Sequence, residues 1–86
     1  MPELRWHPNV AELLAHLSDE QRDRIRRRVR ALSLFPHLGR PQPGHSTGLR
    51  RLVALGWTVI YQHDQAANTV TVLVLLPPGS SIDLSD

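Results

Sequence analysis

Three apolar segments in the second half of the chain, separated by short turns, predict a three-stranded antiparallel meander. The segments are residues 49–55, 57–63 and 70–76, and they are rich in β-branched side chains. Gly56 lies in the first connection, and residues 64–69 form the second. Arg50 and Arg51 lie inside the first strand, where charged residues are unusual unless one sheet face meets water or an anionic partner. The functional surface is therefore expected on this sheet.

The beginning of the chain predicts one strand and a short helix. Residues 4–7 alternate apolar and polar side chains, and Pro8 biases the residue before it toward extended geometry, so they form the first strand. Asn9 and Glu12 have the spacing of a helix-capping pair. Apolar residues then recur on one helical face, namely Val10, Leu13, Leu14 and Leu17.

A second helix is expected to begin after Ser18 and to run to about Phe35. Residues 18–21 match the capping-box pattern, with acidic side chains where the helix dipole favours them. The apolar stripe consists of Ile25, Val29 and Leu32, with Phe35 at its margin. The expected ion pairs are Glu20 with Arg24 and Asp23 with Arg27. Because almost nothing separates the two helices, they should form a hairpin.

The length of the chain limits it to one hydrophobic core. A chain of 86 residues has room for a single domain, which we place at residues 1–79. Residues 36–48 are rich in proline and glycine and are expected to form a connecting loop. The acidic tail, residues 80–86, is expected to be loosely attached or to cover a sheet edge.

Composition argues against several classes of protein. There is no cysteine, so disulfides and thiolate zinc sites are excluded. Without a long apolar run or a secretory pattern, no membrane association is expected, and a cytoplasmic location is the simplest interpretation. The five histidines lack paired metal-ligand spacing and no glycine-rich phosphate loop is present, so neither a metal nor a cofactor is expected.

All 10 basic residues are arginines, although the net charge is only +2. An arginine-rich chain without lysine is also what a GC-rich genome encodes, so the placement of the arginines matters more than their number. The arginines between residues 22 and 30 follow the flanks and the far side of the second helix. They fit either a phosphate-contacting surface or a solvated helix with internal ion pairs.

The order strand, helix, helix, loop and three strands resembles the RelE/ParE superfamily of bacterial type II toxin-antitoxin toxins. The resemblance spans residues 3–77, and its weight comes from order and spacing, because each motif alone is weak. The matching motifs are Gly39-Arg40-Pro41, Gly48-Leu49-Arg50-Arg51-Leu52, Gly56-Trp57, Val59-Ile60-Tyr61 and Val70-Thr71-Val72-Leu73.

The resemblance implies an α+β fold of β-α-α-β-β-β order, with the helices on one face of the sheet and function on the other. It implies a toxin that arrests growth by ribosome-dependent mRNA cleavage, an mRNA interferase whose partners are the ribosome and mRNA. The alternative is a non-enzymatic ParE-like module that acts on DNA gyrase or another protein. A cognate antitoxin is the implied partner in both cases, and a homodimer or a hetero-oligomer with the antitoxin is possible.

Cleavage through a 2′-hydroxyl needs a base, an acid and cations around the phosphate. The catalytic candidates are Arg50, Arg51 and His63, and Tyr61 is either a proton donor or a core residue. Neighbouring strand residues point to opposite faces, so one of the two arginines is expected on the functional face, and the sequence does not say which. Candidates for contact with nucleic acid or a partner are Arg40, His45, Trp57 and Thr58.

Two departures from the family pattern count against a nuclease. Thr58 stands where many members have arginine, and Pro77-Pro78-Gly79 stands where nucleases carry basic or proton-transferring residues. In the last strand, simple alternation predicts Val70, Val72 and Val74 on one face and Leu73 and Leu75 on the other. The second apolar face would then need cover from the tail, an antitoxin or another copy of the chain.

Overall fold

The computed structural model describes residues 2–41 and 48–79, which form a five-stranded sheet with two helices packed on one face. The elements are β1 (Glu3–Trp6), α1 (Pro8–Ala15), α2 (Asp19–Arg30), a 3₁₀ turn (Ala31–Ser33), β2 (Arg40–Pro41), β3 (Leu49–Ala54), β4 (Trp57–Asp64) and β5 (Thr69–Leu76). The strand order is β1-β5-β4-β3-β2, with β1 parallel to β5 and the other pairs antiparallel. The α+β prediction is confirmed, and β2 is an addition inside the segment predicted as loop. The predicted tail lies outside the described residues.

The start of α1 differs from the prediction. Pro8 occupies the first turn, and His7 rather than Asn9 is the capping residue. The His7 Nδ1 atom accepts a hydrogen bond of 3.1 Å from the Asn9 backbone N–H. Proline suits the first turn because the N–H groups there have no intrahelical acceptor, so the N–H that proline lacks is not missed. The capping bond is made instead by the side chain of His7, the residue before it.

The second helix begins as predicted and ends earlier. The Ser18 hydroxyl accepts a hydrogen bond of 3.2 Å from the Gln21 N–H, which confirms the predicted cap. The regular helix stops at Arg30, and Phe35 is 63 % exposed instead of lying against the core. Of the two predicted ion pairs, Glu20 to Arg24 is formed at 3.0 Å, whereas Asp23 and Arg27 form none. Both side chains of the missing pair are solvated, and such a pair offers only a few tenths of a kcal/mol.

Arg22 joins the two helices. Its Nε and Nη2 atoms donate to the carbonyls of Leu14 and Leu17 at 3.1 and 3.0 Å, and its guanidinium lies 3.2 Å from Asp19. The Leu14 carbonyl belongs to the last turn of α1, where it also accepts the Leu17 N–H at 3.1 Å, and the Leu17 carbonyl belongs to the linker between the helices. Arg22 is therefore committed to holding the helices and is not part of a free basic surface.

One face of the sheet forms the core and the other is open. The predicted stripe of Ile25, Val29 and Leu32 is fully buried against this face. The remaining core residues are Val10, Leu14, Leu52, Trp57, Val59, Tyr61, Val70, Val72 and Leu75. The opposite face, which we call the outer face, includes Arg40, Arg51, Val53, Thr58, Ile60 and Val74, as the strand register places them.

A β-bulge changes the predicted alternation of β5. The partner of Ile60 is Val74, but the partner of Tyr61 is Val72, so Leu73 is the extra residue. Val70 and Val72 therefore share the helix face with Leu75, while Val74 lies on the outer face. The prediction that all three valines point one way is wrong, because one inserted residue reverses the direction of every side chain that follows it.

The turn between β3 and β4 offers a simple test of the local geometry. Leu55 and Gly56 both have positive φ, 55° and 81°, which is the geometry of a two-residue type I′ turn. Leucine is strained in this region, whereas Asn-Gly is the preferred pair. We expect Leu55→Asn to raise the free energy of unfolding by about 0.5–1 kcal/mol, measured by urea denaturation. Leu55→Ala, which keeps the strain, should give no such gain.

Candidate functional site

The segment between the 3₁₀ turn and β2 is fastened to the sheet by the hydroxyl of Tyr61. This hydroxyl donates a hydrogen bond of 2.8 Å to the Pro36 carbonyl and accepts one of 2.9 Å from the Gly39 N–H. Tyr61 is fully buried, and burial raises the pKa of its phenol above 10.0, opposed by the Gly39 hydrogen bond and by the charge of Arg50. The hydroxyl thus uses its hydrogen as a donor and its oxygen as an acceptor within the fold. We therefore interpret Tyr61 as a structural residue.

Arg50 holds the same segment from the neighbouring strand. Its Nη1 atom donates to the Gly39 carbonyl at 2.8 Å, and its side chain is partly buried. Arg51 points to the outer face, where it is exposed. The two arginines predicted as alternatives thus face opposite sides, and one of them is bound to the backbone of its own chain.

A cleft opens where this segment meets the ends of β3 and β4. His37 and His63 stand in it edge to face, with ring centroids 5.3 Å apart and an angle of 81° between the rings. The cleft has a volume of about 680 Å³. Its lining consists of His37, Pro41, Gly48, Leu49, Arg50, Gln62, His63, Asp64 and Gln65. His63 and Arg50, two of the predicted catalytic residues, are therefore brought together, and Arg51 is not.

Sequence reasoning missed His37 as a site residue. It lies in the proline- and glycine-rich segment, 26 positions before His63, and no periodic pattern links the two. Only the fastening of this segment by Tyr61 and Arg50 brings the rings together. The available sequence signal was a histidine two residues before the Gly39-Arg40-Pro41 motif, and this signal does not indicate that His63 lies nearby.

The predicted contact residues are distributed differently. Trp57 is 7 % exposed and belongs to the core cluster, so its ring fills the interior and offers little surface to a partner. Thr58 lies half-buried on the outer face between Val53 and Leu76. His45 lies outside the described residues. Arg40 is exposed in β2, on the outer face.

Arg40 and Arg51 lie directly opposite each other in the β2–β3 register. Neither guanidinium forms an ion pair with any residue in the described ranges 2–41 and 48–79. Like charges directly opposite in an antiparallel pair are destabilising, so this pair does not contribute to the stability of the sheet. The outer face therefore carries a compact cationic pair.

A family model described as the ParE toxin of type II toxin-antitoxin systems, parDE, matches residues 4–77. The chain belongs to the ParE toxin family. It is accordingly a toxin of the RelE/ParE superfamily, as the sequence predicted. No curated protein sequence matches the chain significantly.

Several solved structures share the fold of the chain. The isolated RelE toxin of E. coli superposes with a TM-score of 0.80 at 12 % identity, covering 94 % of this chain and 88 % of that one. A RelE variant in complex with a peptide of the antitoxin RelB gives 0.75 at 11 %, with 92 % and 85 % covered. The intact E. coli RelBE toxin-antitoxin complex gives 0.71 at 12 %, with 93 % and 100 % covered. At these identities the likeness establishes the fold alone.

The described part of this ParE-family toxin contains no cluster of three or more histidine, cysteine, aspartate or glutamate side chains that would bind a metal ion. Within the same residues, no helix is long and apolar enough to cross a membrane.

Proposed function

We propose that this toxin arrests bacterial growth by binding a protein target through the outer face of its sheet, with DNA gyrase as that target. Arg40 and Arg51 are the residues that carry the proposal. Their guanidinium groups lie on directly opposed residues and form no ion pair within the described ranges, so an acidic surface would relieve the repulsion between them. Membership in the ParE family favours gyrase over the ribosome.

The outer face is poorly equipped for RNA cleavage. Its carboxylates in the described strands are Glu3, which pairs with Arg5 at 2.8 Å, and Asp64, which accepts a hydrogen bond of 3.1 Å from the Ala67 N–H. The Tyr61 ring lies on the helix side, in the core. Both carboxylates are thus engaged by donors of the chain itself and neither belongs to the Arg40–Arg51 pair, which favours binding over proton transfer on this face.

A cognate antitoxin is the second partner that we propose. Solved structures that share this fold include toxins in complex with an antitoxin or with a peptide of one. Because a toxin of this kind arrests the cell that makes it, neutralisation by a protein encoded beside it follows from the type II family assignment.

One observation favours mRNA cleavage as a second candidate function. Arg50, His37 and His63 line one cleft, and two imidazoles with a guanidinium form a donor set suited to phosphodiester transfer. One imidazole would take the proton of the 2′-hydroxyl as its oxygen attacks phosphorus, and the other would protonate the departing 5′-oxygen. Two observations count against cleavage. Arg50 already donates to the Gly39 carbonyl, and Thr58 and Pro77 carry no charge that could bind a phosphate.

Arg51→Glu separates toxicity from stability. It places a carboxylate opposite Arg40, so we expect the free energy of unfolding to stay level or to rise by about 0.2–1 kcal/mol. We also expect growth arrest to disappear and the toxin concentration that half-inhibits gyrase supercoiling to rise by at least about 30-fold. Arg26→Glu, an equal charge change on an exposed helix residue, is the control and should retain toxicity.

Mapping of mRNA 5′ ends after induction distinguishes the two functions. The gyrase proposal predicts intact mRNA, DNA double-strand breaks and full toxicity in the double variant His37→Ala/His63→Ala. Cleavage at ribosome-occupied codons that vanishes in this variant would establish the nuclease in its place. Unimpaired growth at high soluble expression of the native chain would contradict both.

A further inference from the structure

A groove separates α2 from the free edge of β3. Arg24, Arg27 and Arg28 form its helical wall, Ala31 lies at its end, and Val53, Ala54 and Leu55 form its strand wall. Its volume is about 600 Å³. Leu55 is half-exposed, and the groove thus combines a cationic wall with an apolar one. It is distinct from the histidine cleft and from the cationic pair on the outer face.

The strand wall of the groove contains a stretch of backbone that no described strand pairs with. Among residues 2–41 and 48–79, β2 pairs with β3 at Arg50 and Arg51 and nowhere else. Ala54 and Trp57 flank the two-residue turn, so they form the hydrogen-bonded pair with each other, and the N–H and C=O of the next residue, Val53, point away from β4. No described residue is hydrogen-bonded to these groups, so this edge is open in the part of the sheet that the structure describes.

The helical wall carries charge that the described residues do not neutralise. Arg24 pairs with Glu20, but Arg27 and Arg28 form no ion pair within residues 2–41 and 48–79. Both side chains are exposed and line the groove beside the open edge. An arginine fork on the wall of a groove suits carboxylates, which it can bind in bidentate fashion.

We propose that this groove binds an extended, acidic segment of the antitoxin, which adds to the sheet as a strand along β3. Main-chain hydrogen bonds to Val53 would fix the segment, its carboxylates would meet Arg27 and Arg28, and apolar side chains would pack against Leu55. An extended segment is favoured over a helix because a helix satisfies its own backbone and would leave the edge unpaired. The proposal rests on the antitoxin partner named above and adds where and how that partner binds.

The charge contribution is tested with two matched pairs of substitutions in α2. Arg27→Glu with Arg28→Glu reverses the groove wall, whereas Arg26→Glu with Arg30→Glu makes the same charge change on residues that do not line the groove. Binding is measured by calorimetry with the antitoxin encoded by the adjoining gene. We expect Kd to rise at least about 30-fold for the groove pair and less than about threefold for the control pair.

The backbone contribution is tested at Val53. Val53→Pro removes the N–H that points out of the sheet without removing a bond to β4, so the fold should be retained. We expect a loss of about tenfold in antitoxin affinity, the worth of one main-chain hydrogen bond. Val53→Thr keeps the N–H and should bind the antitoxin as the native chain does. Circular dichroism and thermal unfolding verify the fold of each variant.

The outcomes separate this proposal from the proposed target. Toxicity in cells without antitoxin measures target binding by the outer face. Rescue of growth by the antitoxin measures binding at the groove. The expected result is a groove-pair variant that remains toxic and is no longer rescued. If the groove pair and the control pair lost antitoxin affinity equally, general charge attraction would explain the binding and the groove would not. If light scattering showed a dimer of the native toxin that dissociates in the groove-pair variant, the groove would bind a second copy of the chain. If the groove-pair variant lost its toxicity, the groove would bind the target. Each of these three results overturns the proposal.

Discussion

Replacing Tyr61 by phenylalanine is expected to lower the free energy of unfolding by about 2–3 kcal/mol, measured by urea denaturation. The ring still fills the core, so the loss comes from the hydroxyl alone. Without it, the Pro36 carbonyl and the buried Gly39 N–H both lose their partner. A buried group left without a hydrogen bond costs more than the bond itself contributes, which makes this one atom important for the fold.

Ser33→Ala is the matched control for this substitution. The Ser33 hydroxyl is also buried, but its bond of 2.7 Å reaches only the Arg30 carbonyl, one turn earlier. We expect a loss below about 1 kcal/mol, because a local bond fastens no distant segment. A Tyr61→Phe variant as stable as Ser33→Ala would show that the segment is held by other contacts.

The same hydroxyl predicts how stability depends on pH. Burial raises the pKa of Tyr61 in the folded chain above its ordinary value of 10.0. The folded state then binds the phenolic proton more tightly than the unfolded state, so the stabilisation is fully present below pH 10 and is lost as pH rises through the folded-state pKa. Urea titrations between about pH 8 and about pH 11 should show this decline in the native chain and a smaller one in Tyr61→Phe.

Periodic and local signals predicted most of the fold. The capping box at Ser18, the stripe of Ile25, Val29 and Leu32, and the three strand segments all depend on residues close together in sequence, and the structure confirms them. The parallel pairing of β1 with β5 joins residues more than 60 positions apart. No local pattern encodes such a pairing. It depends on how the helices that follow β1 in the sequence pack on the sheet and so bring β1 next to β5.

The errors have a different physical origin. Leu73 is an extra residue in β5 opposite the step from Ile60 to Tyr61, and a bulge of this kind interrupts the period of two on which the prediction rested. His37 joined the candidate site because the fastened segment carries its ring to His63. The sequence could predict that Arg50 and Arg51 point to opposite faces. Which of them is bound by its own chain depended on where residues 36–41 lie.

Gly39→Ala is expected to cost about 3 kcal/mol of unfolding free energy, at the upper end for added volume in a packed interior. A Cβ at this position would lie 2.6 Å from the Arg51 carbonyl oxygen and 2.7 Å from the Tyr61 hydroxyl. The first contact is with backbone of the adjacent strand, so relief requires that β2 move away from β3. Gly48→Ala is the control, because its nearest neighbours are 3.6 Å away and it suffers only from a φ of +101°. We expect that variant to lose about 1 kcal/mol.

A double-mutant cycle connects the two predictions. Tyr61→Phe removes one of the three atoms that would lie within 3.0 Å of a Cβ on residue 39, the other two being the Arg51 carbonyl oxygen and Cε1 of residue 61. Gly39→Ala in turn displaces the N–H that the Tyr61 hydroxyl binds. The double variant should therefore lose at least about 1 kcal/mol less than the sum of the single losses. Additive losses would mean that residue 39 and the hydroxyl act independently. Coupled losses would mean that Gly39 and the Tyr61 hydroxyl act as one unit in fastening the segment before β2 to the sheet.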